Sequence, residues 1–211
     1  MGKRSCIELA LISLICKGHI LIEDVPGVGK TSLVSAIAKS LNASFKRIQF
    51  TPDILPSDIT GFSIYNQKNG EFEYRPGAIM SQIILADEIN RTSPKTQASL
   101  LEVMEEGQVT VDGTTYKVPT PFMVLATQNP IEYLGTFPLP EAQIDRFFMK
   151  ISLSYPTPGE ESYMLSRFQN INPLETLQPV ADNNDIIRLQ ELVKEVHVDK
   201  SLNNYIVDIV N

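Results

Sequence analysis

The 211-residue sequence contains no tryptophan, only two cysteines and two histidines, and its acidic excess gives a formal net charge of −7. Cys6 and Cys16 form no metal-ligand pattern with the histidines, and so few cysteines indicate a reduced, cytoplasmic setting. Both cysteines lie in an apolar run, so we expect both to be buried. The acidic balance makes nucleic acid an unfavourable partner for the surface as a whole, and leaves only a local basic patch open.

A membrane-spanning run is also missing from the amino-terminal segment. Lys3 and Arg4 precede an apolar stretch over residues 7–15, as in a signal peptide, but Glu8 interrupts it. No cleavage site of small residues follows, and the stretch is too short to cross a bilayer. We therefore expect a helix over residues 5–17 that packs beside the first strand.

The composition favours one folded α/β domain with part of a second. Apolar residues make up 43% of the chain, which is enough for a packed core and argues against disorder. Apolar runs predict strands over residues 20–22, 44–50, 83–87, 122–126 and 148–153. Helical patterns alternate with them, including a helix from Pro94 to Glu106 that Gly107 ends. This alternation predicts a parallel sheet with helices on both faces.

A proline-rich stretch, residues 155–159, marks the predicted domain boundary. Beyond it the strand runs stop, and helices are expected over residues 160–169, 185–196 and 200–210. We assign residues 1–154 to the α/β core and residues 155–211 to a small helical region.

Two hairpins are predicted between the longer elements. The segments 62–74 and 109–118 turn at Asn69-Gly70 and Asp112-Gly113, the dipeptides that favour two-residue hairpin turns. Each is either a strand pair of an ordinary meander or a projecting insert, and the position between α/β elements favours the insert.

Residues 19–31 have the layout of a phosphate-binding loop: an apolar strand, a Pro-Gly-x-Gly turn, Lys30-Thr31 and a helix. Glycines let backbone N–H groups curve around a polyphosphate, and the helix N-terminus adds free donors. Lys30 can reach the β- and γ-phosphates, and the Thr31 hydroxyl can bind Mg²⁺. The loop residues expected to bind a nucleotide are Asp24, Pro26, Gly27, Val28, Gly29, Lys30, Thr31 and Ser32.

The loop departs from the strict pattern at its first position, where Asp24 replaces a glycine. The alternative interpretation of the segment is a glycine-rich turn with a surface lysine.

Three further groups of residues carry candidate chemistry. Asp87-Glu88 ends the buried strand 83–87, where Asp87 can hold Mg²⁺ and Glu88 can activate a water molecule, unless the pair is only a solvated strand end. Asn129 follows another strand and either contacts the γ-phosphate or its attacking water, or caps a turn before Pro130. Arg146 either pairs with Asp145 on a surface helix or reaches a neighbouring subunit's nucleotide as an arginine finger.

Residues 18–150 resemble the MoxR family of AAA+ ATPases. The matching stretches are residues 18–31, 86–97, 100–106, 126–132 and 140–147. The family also carries Asp at the position of Asp24. The resemblance implies a P-loop AAA+ core with a central five-stranded parallel sheet, Mg²⁺-dependent ATP hydrolysis with ATP and ADP as ligands, and homo-oligomeric rings, usually hexamers.

The resemblance also implies roles for single residues. Lys30 and Thr31 correspond to Walker A, Asp87 and Glu88 to Walker B, Asn129 to sensor 1, and Arg146 to the arginine finger. The two hairpins correspond to the helix-2 insert and the pre-sensor-1 insert, which face the pore in related rings. Partners with von Willebrand factor A domains are implied as well.

The sequence departs from the family at both ends. The segment before the first strand is short, and the chain stops at Asn211, inside the expected helical lid. The lid's sensor 2 arginine has no counterpart, because Arg167 and Arg188 lie in other contexts. We therefore expect a truncated chain or shortened gene product with a partial lid, which counts against independent activity and stable rings.

The resemblance leaves two classes of function open. The first is an ATP-hydrolysing, chaperone-like remodeller that helps partner proteins to mature, which Glu88 and Asn129 favour. The second is a nucleotide-dependent binding switch with weak hydrolysis, which the missing sensor 2 favours. A DNA-associated motor on the same fold is disfavoured by the acidic charge.

Overall fold

The computed structural model describes residues 3–130, 135–167 and 173–210. The strands are β1 (Ile20–Glu23), β2 (Phe45–Gln49), β3 (Gly61–Asn66), β4 (Glu71–Pro76), β5 (Ile83–Asp87), β6 (Gln108–Val111), β7 (Thr114–Lys117), β8 (Met123–Gln128) and β9 (Met149–Ile151). The helices are α1 (Arg4–Ile15), α2 (Lys30–Ser40), α3 (Pro56–Thr60), α4 (Pro94–Glu106), α5 (Glu141–Ile144), α6 (Pro158–Arg167), α7 (Asn183–Leu192) and α8 (Lys200–Val210). Single 3₁₀ turns cover Ile89–Arg91 and Val193–Glu195.

Five strands form one parallel sheet in the order β2-β5-β8-β1-β9. All of β5 and nearly all of β8 are buried, as their continuous apolar runs predict for strands that are covered on both faces. The predicted fold class, a five-stranded parallel α/β sheet with flanking helices, is therefore confirmed.

The core has two layers because successive strand residues point to opposite faces of the sheet. On one face α2 lies against β5 and α1 against β9, in one cluster of buried side chains that includes Ile83 and Leu85 of β5. On the other face α4 packs against Ile84 and Ala86 of the same strand. Each fully buried aliphatic side chain contributes about 1.5–3 kcal/mol of apolar transfer free energy to this arrangement.

The two predicted hairpins form separate two-stranded antiparallel sheets, β3–β4 and β6–β7. Neither hairpin joins the central sheet, so the meander alternative is excluded. Their bases touch through Tyr74 and Tyr116, whose stacked rings lie 4.0 Å apart. The Tyr74 hydroxyl also donates a hydrogen bond to the carbonyl oxygen of Thr60 (2.6 Å).

The two hairpin turns differ from one another. Asp112 and Gly113 both have positive φ (49° and 78°), so the expected two-residue turn is confirmed between β6 and β7. The two-residue turn expected at Asn69-Gly70 is wrong, because strand pairing stops at Asn66 and Glu71 and leaves a four-residue loop. The side chains of Asn66 and Asn69 accept backbone hydrogen bonds inside this loop, which stabilises the longer turn.

The amino-terminal helix α1 has a buried side and an exposed side, and the two cysteines differ in solvent exposure. Cys6 is buried and its Sγ lies 3.5 Å from the carbonyl oxygen of Ser152. Cys16 is exposed, so its expected burial is wrong: the helix already ends at Ile15, and Cys16 is the cap that faces solvent. No helix within the described ranges is long and apolar enough to cross a membrane.

Of the helices after residue 155, α7 packs against the core, whereas α8 is exposed along its whole length. On α7, Ile186 is buried in the core, Gln190 donates to the carbonyl oxygen of Leu14 (2.8 Å), and Glu191 pairs with Lys17 (3.2 Å). In contrast, all residues of α8 are exposed. Residues 168 and 169 of the first predicted helix in this region lie outside the described residues.

His19 connects the start of β1 to two neighbouring elements. Its Nδ1 accepts a hydrogen bond from the backbone N–H of Val124 (3.0 Å), so its Nε2 carries the proton and donates to the carbonyl oxygen of Met104 (3.0 Å). Burial lowers the pKa of His19, and the bond to Met104 only partly opposes this shift. A second proton, on Nδ1, would face the Val124 N–H, so the fold requires the neutral ring.

We expect His19 to make stability depend on pH. Its folded pKa lies below the usual 6.5, so its contribution is complete above pH 6.5 and is lost as the pH falls through the folded pKa. The loss is at most about 1.4 kcal/mol per pH unit. Urea unfolding between pH 8 and 5.5 should show this slope for the wild type. His19→Gln should flatten it, whereas His197→Gln, at the exposed second histidine, should leave it unchanged. An equal slope in the His19 variant would contradict the assignment.

Candidate functional site

Apart from Arg146, the residues singled out from the sequence meet at the carboxyl ends of the parallel strands. The loop 24–29 follows β1, Asp87 ends β5 and is followed by Glu88, and Asn129 follows β8. Pairing sets Gln49 of β2 beside Asp87, and Glu23 of β1 beside Gln128. The sheet thus places these groups at one edge, the usual site for ligands in open α/β sheets.

The loop after β1 has the backbone conformation of an anion site. Gly27 and Gly29 have φ of 85° and 91°, values that L-residues with a Cβ rarely adopt. No atom lies within 4 Å of where a Cβ would stand on either glycine, so both face open space. Gly29 is also the N-cap of α2, an 11-residue helix whose first N–H groups and dipole favour a negative charge.

The polar residues of the loop lie at the start of α2. Lys30 Nζ donates to the carbonyl oxygen of Asp24 (3.1 Å), which folds the lysine back over the loop. Thr31 and Ser32 follow in the first turn, where Thr31 is half-buried and Ser32 is exposed. Val28 is instead buried in the core and fixes the loop to the domain.

A cavity of about 480 Å³ adjoins the loop, a size that suits a small-molecule ligand. Its wall is mainly apolar and includes Ile7, Val28, Leu33, Leu153, Tyr163 and Leu174. Four of these six residues come from α1 or from the chain after β9, which the sequence interpretation did not connect with the site. Only the apolar character of those segments was visible in the sequence.

Asp24 turns its side chain away from the loop glycines. It is buried, and its Oδ2 accepts hydrogen bonds from the backbone N–H groups of Leu153 and Ser154 and from the Ser152 hydroxyl. Its own φ is not positive, so the position does not require glycine. Asp24 thus connects the loop to the segment that follows β9, while its carbonyl oxygen receives Lys30.

Asp87 is held by two donors from the neighbouring strands. Its Oδ2 accepts from Nε and Nη2 of Arg47 on β2 (3.1 and 2.5 Å), and its Oδ1 accepts from the Thr127 hydroxyl on β8 (2.6 Å). The carboxylate is nearly buried, while about half of the Arg47 side chain is exposed. Both carboxylate oxygens are therefore oriented by the fold.

Glu88 has a left-handed backbone conformation (φ 59°, ψ 49°), which is uncommon for a residue other than glycine. Its N–H donates to the Thr127 hydroxyl (2.9 Å). Its Oε2 accepts from Gln49 Nε2 (2.8 Å) and lies 3.4 Å from Arg91 Nε. Such unusual backbone conformations concentrate at functional sites, where surrounding contacts maintain them.

The remaining two predicted site residues, Asn129 and Arg146, lie in surroundings that differ from one another. Asn129 is buried at the same edge, directly after β8. Arg146 lies between α5 and β9, and its Nη2 pairs with Glu105 of α4 (3.1 Å). This ion pair takes the place of the expected alternative contact with Asp145. Both of its side chains are substantially exposed, so the pair adds little to stability.

Three side chains of the site were missed in the sequence: Arg47, Gln49 and Thr127. Arg47 and Gln49 alternate along β2 and so share one face, which is a visible signal. The order of the strands, which places β2 and β8 on either side of β5, is not readable from the sequence.

The donor set near the loop suits Mg²⁺ rather than a transition metal. No group of three or more His, Cys, Asp or Glu side chains that could hold a metal occurs in the described ranges. The loop and the strand edge instead offer a threonine hydroxyl and one carboxylate, at Thr31 and Asp87. Magnesium is commonly held by one or two protein oxygens together with phosphates and water, so these residues fit it.

We expect the Asp24 contacts to stabilise the fold. Asp24→Asn replaces one acceptor oxygen by an NH₂ group that faces backbone N–H donors, and should lower the free energy of unfolding by roughly 1–3 kcal/mol. Urea unfolding measures the change. Asp208→Asn, on exposed α8, is the matched control and should stay within about 0.5 kcal/mol of the wild type. If both substitutions changed the free energy of unfolding equally, the buried contacts of Asp24 would not be a specific source of stability.

Comparison with known proteins agrees with this geometry. The family model described as "ATPase family associated with various cellular activities (AAA)" matches residues 19–149. YeaC of Bacillus subtilis is 61% identical over 210 residues, and the protein named chaperone MoxR1 of Mycobacterium tuberculosis is 45% identical over 210 residues. Both alignments cover 100% of this chain. A crystal structure of a candidate ATPase from Cytophaga hutchinsonii superposes with a TM-score of 0.90 at 47% identity over 99% of this chain.

The chain spans only part of the length of these relatives: 66% of YeaC, 55% of MoxR1 and 63% of the Cytophaga hutchinsonii protein. Within that span the identity is high, and the family model covers more than half of the chain. The matched region contains the glycine loop, Asp87-Glu88 and Asn129. The chain belongs to the MoxR family of AAA+ ATPases.

Proposed function

We propose that this chain binds and hydrolyses Mg-ATP and that the resulting cycle remodels partner proteins or helps them to mature. The observation that carries the proposal is the glycine loop, which faces open space beside a cavity of about 480 Å³ at the same sheet edge as Asp87-Glu88. The family membership and the relative named chaperone MoxR1 support the same function.

Each part of the site has a role in nucleotide binding. The amides of residues 27–31 and the Lys30 ammonium bind the phosphates, and the apolar cavity wall accepts the nucleobase. Thr31 and Asp87 would hold Mg²⁺, which neutralises phosphate charge when it is bound. Asp24 keeps the loop in place through its bonds to residues 153 and 154.

Hydrolysis requires a base beside the γ-phosphate, and we assign this role to Glu88. Gln49 and Arg91 both contact its Oε2, so Oε1 is the oxygen that we assign to the attacking water. Asn129, next to the end of β8, would orient the water or the γ-phosphate. A preoriented carboxylate needs little reorganisation in the transition state, which is the main source of such catalysis.

A second candidate function, a nucleotide-dependent switch with weak hydrolysis, has its own supporting observation. Arg47 contacts Asp87 Oδ2 with two nitrogens, at 3.1 and 2.5 Å, and so competes with a metal ion for that oxygen. If the ion pair persists with nucleotide bound, turnover is slow although binding is retained.

Substitution of Glu88 and Lys30 separates chemistry from binding. Glu88→Gln should keep nucleotide affinity and lower turnover about 10²–10⁴-fold, because it removes the base. Lys30→Ala should weaken binding by roughly 1.5–3 kcal/mol, the value of a charge-assisted contact. Calorimetric titration with Mg-ADP and steady-state phosphate release measure the two effects. Glu102→Gln, at an exposed position of α4, is the control and should change neither. Unchanged turnover in Glu88→Gln would rule out Glu88 as the base.

We also propose that the chain acts as a cytoplasmic homo-oligomeric ring, with a hexamer as the expected form. The division into a core over 1–154 and a partial helical lid over 155–211 belongs to the same proposal, as do partners with von Willebrand factor A domains. Membership of the AAA family supports the ring. Arg146 is partly exposed and bound only to another exposed side chain in its described ion pair, which suits a group that reaches a neighbouring subunit.

The role of Arg146 can be tested by mixing subunits. An arginine finger acts on the neighbour's nucleotide, so Arg146→Ala should lower turnover about 10³-fold or more and spare nucleotide binding. Mixing Arg146→Ala with Glu88→Gln subunits should restore activity, because intact Glu88 then meets intact Arg146 across an interface. Phosphate release measures the recovery.

The structure supplies a control for this experiment. Glu105→Ala breaks the same ion pair but leaves Arg146 in place, so it should retain turnover. If the mixture recovers nothing while Glu105→Ala is fully active, Arg146 is not the finger, and Arg91 becomes the next candidate.

A further inference from the structure

One hydroxyl group contacts both residues of the acidic pair. Thr127 Oγ1 donates to Asp87 Oδ1 (2.6 Å) and accepts from the backbone N–H of Glu88 (2.9 Å). The carboxylate can only accept and the amide can only donate, so the single hydroxyl proton has one possible place. The Thr127 side chain is fully buried.

The location of Thr127 follows from strand register. Ala86 of β5 pairs with Ala126 of β8, which sets the next residues, Asp87 and Thr127, side by side. The bond to Oδ1 limits the rotation of the Asp87 carboxylate and leaves Oδ2 as the oxygen for which Arg47 and a bound Mg²⁺ would compete. The bond from the Glu88 amide supports a left-handed conformation that a glutamate rarely adopts unaided.

We propose that Thr127 is a positioning residue for the hydrolytic site: its hydroxyl sets the Asp87 carboxylate for Mg²⁺ and the Glu88 backbone for the attacking water. This inference rests on the proposed function. Thr127 touches neither the phosphates nor the water, and acts only through the two acids. A purely structural hydroxyl would stabilise the fold without affecting the dependence of nucleotide binding on the metal.

The test compares Thr127→Val, which keeps the shape and removes the hydroxyl, with Thr127→Ser, which keeps the hydroxyl. ATP affinity is measured by calorimetry with Mg²⁺ and with EDTA, and phosphate release gives kcat and KM. With EDTA, all three proteins should bind alike. Mg²⁺ should increase the ATP affinity of the wild type, and in Thr127→Val this increase should be about tenfold smaller, as expected for the loss of one charge-assisted hydrogen bond. The kcat of Thr127→Val should fall about tenfold or more. The Ser variant should stay within about threefold of the wild type, as expected when that bond is retained.

Each result decides the inference. A Val variant that matches the wild type in metal-dependent tightening and kcat, or that only melts at a lower temperature, overturns the role of Thr127 and leaves the proposed function intact. A wild-type chain without metal-dependent binding overturns the proposed function, and the inference with it. If Thr127→Val does not fold, Thr127→Ser and Thr127→Ala make the same comparison, since both lose the methyl group and only Ser keeps the hydroxyl.

Discussion

The parallel pairing of five strands is the constraint on which the rest of the structure depends. A parallel sheet directs all its strands the same way, so their carboxyl ends meet at one edge. The loop 24–29, Asp87-Glu88 and Asn129 lie far apart in sequence and become neighbours only through this pairing. A shift of β5 by one residue would turn Asp87 to the opposite face, because side chains alternate along a strand.

Several carboxylates lie at this edge, and each accepts hydrogen bonds from donors in a neighbouring segment. Asp24 receives the amides of residues 153 and 154, Asp87 receives Arg47 and Thr127, and Glu88 receives Gln49. Buried carboxylates are costly without such partners. Because every donor comes from an adjacent strand or its extension, the bonds that offset this cost also hold the acids in fixed orientations.

Most local features of the fold were predictable from the sequence, although the turn at Asn69-Gly70 was not, and the order of neighbouring strands was not. The strand 83–87, the helix from Pro94 to Glu106 and the turn at Asp112-Gly113 depend on nearby residues and are confirmed. The pairing of Arg47 with Asp87 depends on strand order, which no local pattern encodes. The exposed Cys16 shows the same limit on a smaller scale, since one residue decides whether a helix end faces the core or solvent.

The fold gives a physical reason for Asp24, which stands where the strict loop pattern has a glycine. A glycine at this position would serve only the backbone, whose φ does not need it, whereas the carboxylate binds the segment after β9. That segment continues into Pro156, Gly159 and Tyr163, which line the cavity beside the loop. Asp24 therefore joins the glycine loop to a segment that lines part of the cavity. A displacement of residues 153 and 154 either breaks the Asp24 bonds or moves the loop with them, because one carboxylate oxygen accepts from both amides.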